Sequence, residues 1–352
     1  MFPYFLMYSA PAFAALFERQ RPGSRRGTQL ALFALVVLAI ALLVGLRFEV
    51  GGDWTSYLGY LDRSAHLRLE EILTGADPGY VILNWLTVHL DGDIWLVNLG
   101  CAGLFCWGLF EFCRLQPRPW LALAVAVPYL IVVVAMGYTR QGVAIGLSMI
   151  GLVALARQGS TLKFVFWVIL AATFHKTAVL LIPLAALTSD RGRLWTFTWV
   201  AAAAAAAYFV LLADRVDALI YGYIESDYDS SGASIRTAMN VLPATLLLVF
   251  SRRFPMPPRE KRLWTIVAAV AIATVPALVF SPSTTAVDRL SLYLIPLQMV
   301  ALSRVPGAFG RSERTQRFLA AAVLVYSGLA LFVWLNFASH AWAWVPYQFY
   351  FL

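Results

Sequence analysis

Charge is what this sequence has least of. Only 13% of its 352 residues are Asp, Glu, Lys or Arg, and 61% are hydrophobic, where a soluble globular chain is roughly a quarter charged and about half apolar. The shortage excludes an ordinary water-soluble domain, because the apolar excess comes in blocks. They lie at 29–46, 120–136, 194–213, 263–280 and 318–336, each close to the ~20 residues that a membrane-spanning helix needs. Cysteine is scarce too. Cys101, Cys106 and Cys113 share one expected span with no histidine close in sequence. A tetrahedral site would lack its fourth ligand, so the three are expected as small buried packing residues and no metal is expected. Residues 1–17 have no basic n-region before the apolar part and no A-x-A site after it, and are read as a first span.

The formal net charge of +8 would raise nucleic acid as a partner of a soluble protein. Here the cations gather in short loops between spans, so they report topology, and the partner they imply is the membrane. The expectation is an all-α polytopic membrane protein with one membrane domain over 1–352. It should have about 10–12 membrane segments.

Basic loops place the inner side. They are E-R-Q-R-P-G-S-R-R-G (18–27), R-L-Q-P-R-P (114–119), R-Q-G-S-T-L-K (157–163), R-R-F-P-M-P-P-R-E-K-R (252–262) and the stretch 303–317. The segment 47–78, with six acids, then falls outside, as does the loop 214–236. Parity requires the run 161–187 to leave and return within about 27 residues, where two full spans need about 40. It should be a short broken or re-entrant pair bent near His175–Lys176, tolerated at membrane depth only where protein or a water-filled cavity surrounds it. The alternative is one tilted span with His175 satisfied inside the bundle.

The same bookkeeping puts Arg47, Arg140, Asp288 and Arg289 at outer helix ends, with Asp53 soon after Arg47, while inner-end cations lie in loops. A single outer-end arginine can snorkel to headgroups. Three arginines, a His-Lys pair and two aspartates on one side describe a polar pocket. Guanidinium forks bind phosphate oxygens bidentately and Lys adds a point charge, so the set suits a pyrophosphate. Two outer segments could cover it. In 47–78, Tyr57, Leu61, Ala65, Leu69 and Leu73 recur every four positions, as in an amphipathic helix on the membrane surface. The loop 214–236 has tyrosines among acids, serines and glycines, suited to a lid or to an ordinary solvated loop. The strings Asp91-Gly92-Asp93 and Asp227-Tyr228-Asp229 could hold a cation against a sugar nucleotide, but both face outward, and Asp93 is placed to cap the third span. The aromatics Trp342, Trp344, Tyr347, Phe349 and Tyr350 read as an interfacial anchor.

These residues resemble a known family. R-F-E-V-G-G-D-W-T-S-Y, with Arg47, Gly51, Asp53 and Tyr57, is similar to the R-x-x-x-G-x-D-x-x-x-Y of the EpsG-like branch of Wzy-type polysaccharide polymerases. D-P-G-Y-V-I-L-N follows, with Asp77 where the family commonly has Glu. Then come Y-T-R-Q-G-V-A (Arg140), F-H-K-T-A (His175, Lys176) and D-R-L-S-L-Y (Arg289, Tyr293), in the family's order. The resemblance implies a GT-C-like membrane glycosyltransferase of the bacterial inner membrane, its active site facing the periplasm or cell exterior. It would polymerise polyprenyl-pyrophosphate-linked oligosaccharide repeat units without a cofactor. Its partners would be a lipid-linked donor and acceptor, with room for a chain-length-regulating co-polymerase.

On that reading Arg140, Arg289, Lys176 and, second, Arg47 hold the pyrophosphate. Asp53 is the base and His175 its rival. Tyr57, Asp77, Tyr293, Arg236 and Asp288 are candidates for the sugar. An O-antigen-ligase-like transferase, a membrane O-acyltransferase and a lipid-linked-sugar flippase are the alternatives. Against the last, no internal repeat is seen and the charges avoid the midplane.

Overall fold

The computed structural model describes residues 1–18, 26–188, 198–202, 205, 232–281 and 283–351. The described chain is all-α apart from a two-residue ladder. Its first half runs α1 (Phe2–Phe17), α2 (Arg26–Gly45), β1 (Arg47–Phe48), α3 (Trp54–Ser64), α4 (Leu69–Thr74), α5 (Pro78–His89), α6 (Ile94–Cys113) and α7 (Pro119–Ala126). A π-helical stretch, Val127–Ala135, continues α7 and precedes α8 (Thr139–Val153), α9 (Thr161–Ala172), a 3-10 turn (Lys176–Leu181) and α10 (Pro183–Thr188). After the next described stretch come α11 (Ala233–Val249), α12 (Pro258–Phe280), α13 (Thr284–Ser291), α14 (Ile295–Phe309), α15 (Glu313–Phe337) and β2 (Gln348–Phe349).

Five helical stretches are long and apolar enough to span a bilayer, and six shorter apolar helices accompany them among the described residues. Burial separates centre from perimeter. The spans Thr139–Gln158 and Thr284–Phe309 are 83% buried within the protein, whereas Pro258–Phe280 and Glu313–Phe337 are 28% and 33% buried. With them at the centre lies α7 and its π-helical continuation, every residue of which is buried. Pro128, with no N–H to donate, stands where α turns give way to wider π turns. The α6–α8 contact is close because neither helix carries a side chain there. A Cβ on Gly108 would lie 1.9 Å from the Gly146 carbonyl oxygen, the small-residue device of membrane helix pairs.

The helices divide the polar residues between two ends. At one end, Arg304 donates to Gln116 (2.6 Å) and Glu260 (2.5 Å), Arg118 donates to Gln316 (3.1 Å), and the Trp120 amide reaches Glu18 (3.3 Å). This end gathers four of the five basic segments together with Glu18 of the first, in which 19–25 lie outside the described residues. It also corrects one expectation, because not all inner-end cations lie in loops. Arg304 and Glu260 are both buried, 3% exposed each, with Arg157 at 3.7 Å from Glu260. An ion pair held this deep locks helix ends together only because each charge meets the other.

The run from Thr161 takes the broken form. Helix α9 ends at Ala172, His175 occupies an extended turn, and the chain continues as the 3-10 turn and α10. Helix α9 and the turn contact one another, and α10 packs on α9 and α12.

Two surface elements differ from expectation. The single amphipathic helix at 57–73 is two short helices, broken at 65–68, and the apolar face of α3 is covered by α5 and α6. Protein, not a membrane surface, buries Trp54, Tyr57 and Leu61. The C-terminal aromatics do more than anchor. Trp344 is buried and donates to the Val132 carbonyl (2.7 Å), Tyr347 donates to that of Leu43 (2.7 Å), and β2 pairs antiparallel with β1. The Tyr350 hydroxyl bonds Asp93, whose other oxygen accepts the Ile94 amide (2.6 Å) as the expected cap of α6. Of the lid, only 232–236 lies within the described residues, and Asp227 and Asp229 lie outside them.

Candidate active site

The end opposite the Arg304–Glu260 pair collects the polar residues of five sequence segments. The first, 47–53, is shaped by backbone. Gly51 has φ +113°, and a Cβ there would lie 2.6 Å from the Met136 carbonyl oxygen, so only glycine lets the loop lie on the 136–139 turn. Its amide donates to the Ala343 carbonyl at 2.8 Å. Arg47 closes this loop from inside. It is 1% exposed, and its guanidinium donates to the carbonyls of Val44 (2.6 Å) and Val50 (3.1 Å), to Thr139 Oγ1 (2.7 Å) and to Asn98 Oδ1 (3.3 Å). Four of its five N–H groups meet protein acceptors, surroundings that suit a positioning residue better than the pyrophosphate ligand expected of it.

Arg140 occupies the first turn of α8 and faces the start of α5. Its Nη1 donates to Asp77 Oδ2 at 2.5 Å and to the Tyr60 hydroxyl at 3.0 Å, and the guanidinium carbon stands 4.8 Å from the Tyr60 ring centre. Nε is buried with no hydrogen-bond partner among the described residues, so the group keeps donor capacity there. Asp77 adopts left-handed backbone (φ 51°, ψ 56°) ahead of Pro78. Burial raises the pKa of its carboxyl, against which the Arg140 and Lys176 charges pull it down. The Gly79 amide donates to the Thr173 carbonyl at 2.8 Å, which sets the D-P-G turn beside the His175–Lys176 bend.

His175 is the hub. Its Nδ1 lies 2.6 Å from Thr177 Oγ1 and 3.4 Å from the Tyr293 hydroxyl, and Thr177 and Tyr293 are 3.2 Å apart. Burial first, then the charges of Arg140, Arg289 and Lys176, push the imidazole pKa down. Backbone and side-chain bonds bring the same segments together: Gly79 to Thr173 (2.8 Å), Gln141 to Arg289 (2.6 Å) and Tyr293 to His175 (3.4 Å). Arg289 lies over the Tyr138 ring, 3.8 Å from its centre, a cation–π contact. Gln141 ties its backbone to α8 by donating to the Arg289 carbonyl at 2.6 Å. Asp53 precedes α3 without capping it through its side chain, and its charge acts on both Tyr57 and Tyr138.

The remaining candidates divide. Arg236 and Asp288 form a bidentate pair, at 2.6 and 2.7 Å, between α11 and α13. Tyr57 is 3% exposed, its ring 5.7 Å from that of Tyr80, so it packs beneath the site instead of opening onto it. Residues outside the sequence-based set are Tyr60, Tyr80, Tyr138 and Thr177. Three of them sit inside or beside stretches already singled out: Tyr80 in D-P-G-Y, Tyr138 in Y-T-R-Q and Thr177 in F-H-K-T. A phenol next to an arginine carries no spacing signal, which is why they were not separable.

The arrangement is therefore a recess at one end of the bundle. The segments that carry Arg140, Lys176 and Arg289 meet beside His175, the Asp77 carboxylate holds Arg140, and the Tyr60 and Tyr138 rings support Arg140 and Arg289. Groups of this kind can bind a polyanion and stabilise negative charge that develops on it. No curated protein and no solved structure matches the chain. The EpsG family model matches residues 30–349, a span that holds every residue of the recess, and on this evidence the chain belongs to the EpsG family.

Proposed function

We propose that this protein polymerises lipid-linked oligosaccharide repeat units, transferring the growing chain from a polyprenyl pyrophosphate to the terminal sugar of a new unit at the outer face of a bacterial inner membrane. Membership of the EpsG family supports a polysaccharide polymerase role in general terms. The observation that carries the finer reading is that the segments bearing Arg140, Lys176 and Arg289 are tied side by side, by the Arg140–Asp77 pair (2.5 Å), the Gly79–Thr173 backbone bond (2.8 Å), the Gln141–Arg289 bond (2.6 Å) and the Tyr293–His175 contact (3.4 Å).

In the transfer, an acceptor hydroxyl oxygen forms a bond to the anomeric carbon while the bond from that carbon to the pyrophosphate oxygen breaks. The electron pair leaves with the pyrophosphate, and the three cations neutralise it; they supply the charge that a divalent ion would otherwise bring. The hydroxyl proton needs an acceptor. His175 Nδ1 is engaged with Thr177 and Tyr293, and protonating the ring would add positive charge beside the segments that carry Arg140, Lys176 and Arg289, so the imidazole is a poor base. Asp53 takes that role. His175, fixed by Thr177 and Tyr293, positions the Lys176 turn. Asp77 holds Arg140.

The test is incubation of purified protein with a lipid-linked repeat unit, products being separated by size. Wild type should give a ladder, and Arg140→Ala and Arg289→Ala should give none while staying folded and eluting like wild type, Arg140→Ala with a lowered melt because Asp77 is left buried without its partner. Full-length polymer from either variant would defeat the assignment. A single transfer without a ladder would instead mark a ligase.

A further inference from the structure

A groove of about 580 Å³ leads away from the recess along the flank of the bundle, within the ~300–1,000 Å³ typical of small-molecule sites. One wall is the π-helical stretch, with Pro128 and Val133; the others are α11, with Met239, and α15, with Leu329 and Val333. On α15 it extends from Tyr326 to Phe337. At 1.5 Å per residue that is about 16 Å, roughly half the ~30 Å of a hydrocarbon core. Leu329, Val333 and Phe337 are exposed, so the groove is open sideways, where lipid would lie.

Its two ends differ in chemistry. The deep end is apolar apart from the hydroxyls of Tyr129 and Tyr326. At the recess end it is lined by Tyr138, whose ring carries the Arg289 guanidinium, and by Arg236. A ligand filling it needs one apolar chain and an anionic head at the same terminus. The wall adds a second pointer, since π turns widen a helix and recur at functional sites.

We propose that this groove holds the isoprenoid chain of the lipid whose pyrophosphate is bound at Arg289. The head group's identity rests on the polymerase reading; the tail site rests on the groove. The cation cluster would then grip the diphosphate at the level where the chain enters hydrocarbon. The Tyr138 ring, between groove and guanidinium, would mark the junction of tail and head.

Binding without turnover tests this. Wild-type protein in phosphatidylcholine nanodiscs is titrated with a long-chain polyprenyl diphosphate bearing no sugar, and with a diphosphate carrying a single isoprene unit. Ala330→Trp and Met239→Trp fill the groove from opposite walls. Each should weaken the long-chain probe by at least about tenfold, the equivalent of two or so methylenes of lost burial, and leave the short probe unchanged. Arg289→Ala should weaken both.

Equal long-chain affinity in wild type and in the filled variants would overturn the proposal. So would loss of both probes together in a filled variant that still melts normally. Displacement by phosphatidylglycerol as effective as by the polyprenyl diphosphate would also overturn it, by marking a general lipid site. If neither variant folds, a photoreactive polyprenyl diphosphate on wild type should label 326–337 or α11, and labelling elsewhere would count against the groove. A failed ladder assay with the long-chain preference intact would sink the polymerase reading alone.

Discussion

Arg47 and Arg289 illustrate what a single residue's surroundings decide. Arg47 follows α2 and Arg289 lies in the last turn of α13 at the same end of the protein, and in sequence they are equivalent outer-end cations. Arg47 is enclosed by four acceptors, whereas Arg289 lies half-buried over the face of Tyr138, a ring that also lines the groove. Arg47→Ala should therefore act on stability, by about 2–4 kcal/mol, as buried carbonyls and polar side chains lose their donor. It should lower the melting temperature in detergent. Arg289→Ala should leave the melt unchanged and abolish polymer. Equal melts for the two variants would mean that the Arg47 bonds contribute nothing.

Glu18 supplies a pH test at the same scale. Burial pushes its pKa from 4.5 up to about 7, so between those values the folded protein binds a proton that the unfolded chain has released. Stability must then fall as pH rises through that window and level off above it. Glu18→Gln should flatten this dependence, which melts from pH 5 to pH 8 would reveal.

At the level of elements, two contacts set where the site residues stand. The loop 47–53 lies flat on the 136–139 turn because Gly51 has no Cβ. Helix α8, which begins one residue before Arg140, lies against α6 because Gly108 and Gly146 have none. Gly108→Ala must separate the helices or bend one, since its Cβ would lie 1.9 Å from a backbone oxygen. It should cost roughly 1–3 kcal/mol as an overpacked contact and reduce polymerisation together with thermal stability. A Gly108→Ala protein as stable and active as wild type would show that this contact has slack. The helical period at 57–73 was legible, but its partner was not. An apolar stripe looks the same whether a bilayer or α5 covers it, and the loops between α3, α4 and α5 decided in favour of α5. The bend at His175 was legible, because charge counting and span length leave too few residues for two full crossings.

Over the whole molecule, the division into a basic end and a recess end is the feature most open to direct measurement. With the buried cysteines Cys101, Cys106 and Cys113 replaced to give a silent background, a cysteine at position 176 should react with an impermeant thiol reagent applied from outside. One at position 311, exposed at the basic end, should react only after the membrane is opened. The reverse pattern would invert the orientation and with it the proposed cellular side of the reaction. The buried Arg304–Glu260 pair belongs to this scale too. It joins α14 to α12 at the end away from the recess, where rigid ends hold fixed the helices whose opposite ends carry the site.

The all-α polytopic architecture, the break in 161–187 and the segments that meet at the recess were legible in the sequence alone. Hydrophobic runs of bilayer length and cations that avoid hydrocarbon are properties of composition along the chain, and need no knowledge of neighbours. Which cation faces ligand and which faces carbonyls, the pairing of Asp77 with Arg140, the clamp of the C-terminal aromatics on the 47–51 loop and the groove beside Tyr138 were settled only in three dimensions. Each depends on which surfaces lie within a few ångströms of one another, and hydrogen bonds and packing act only over that range.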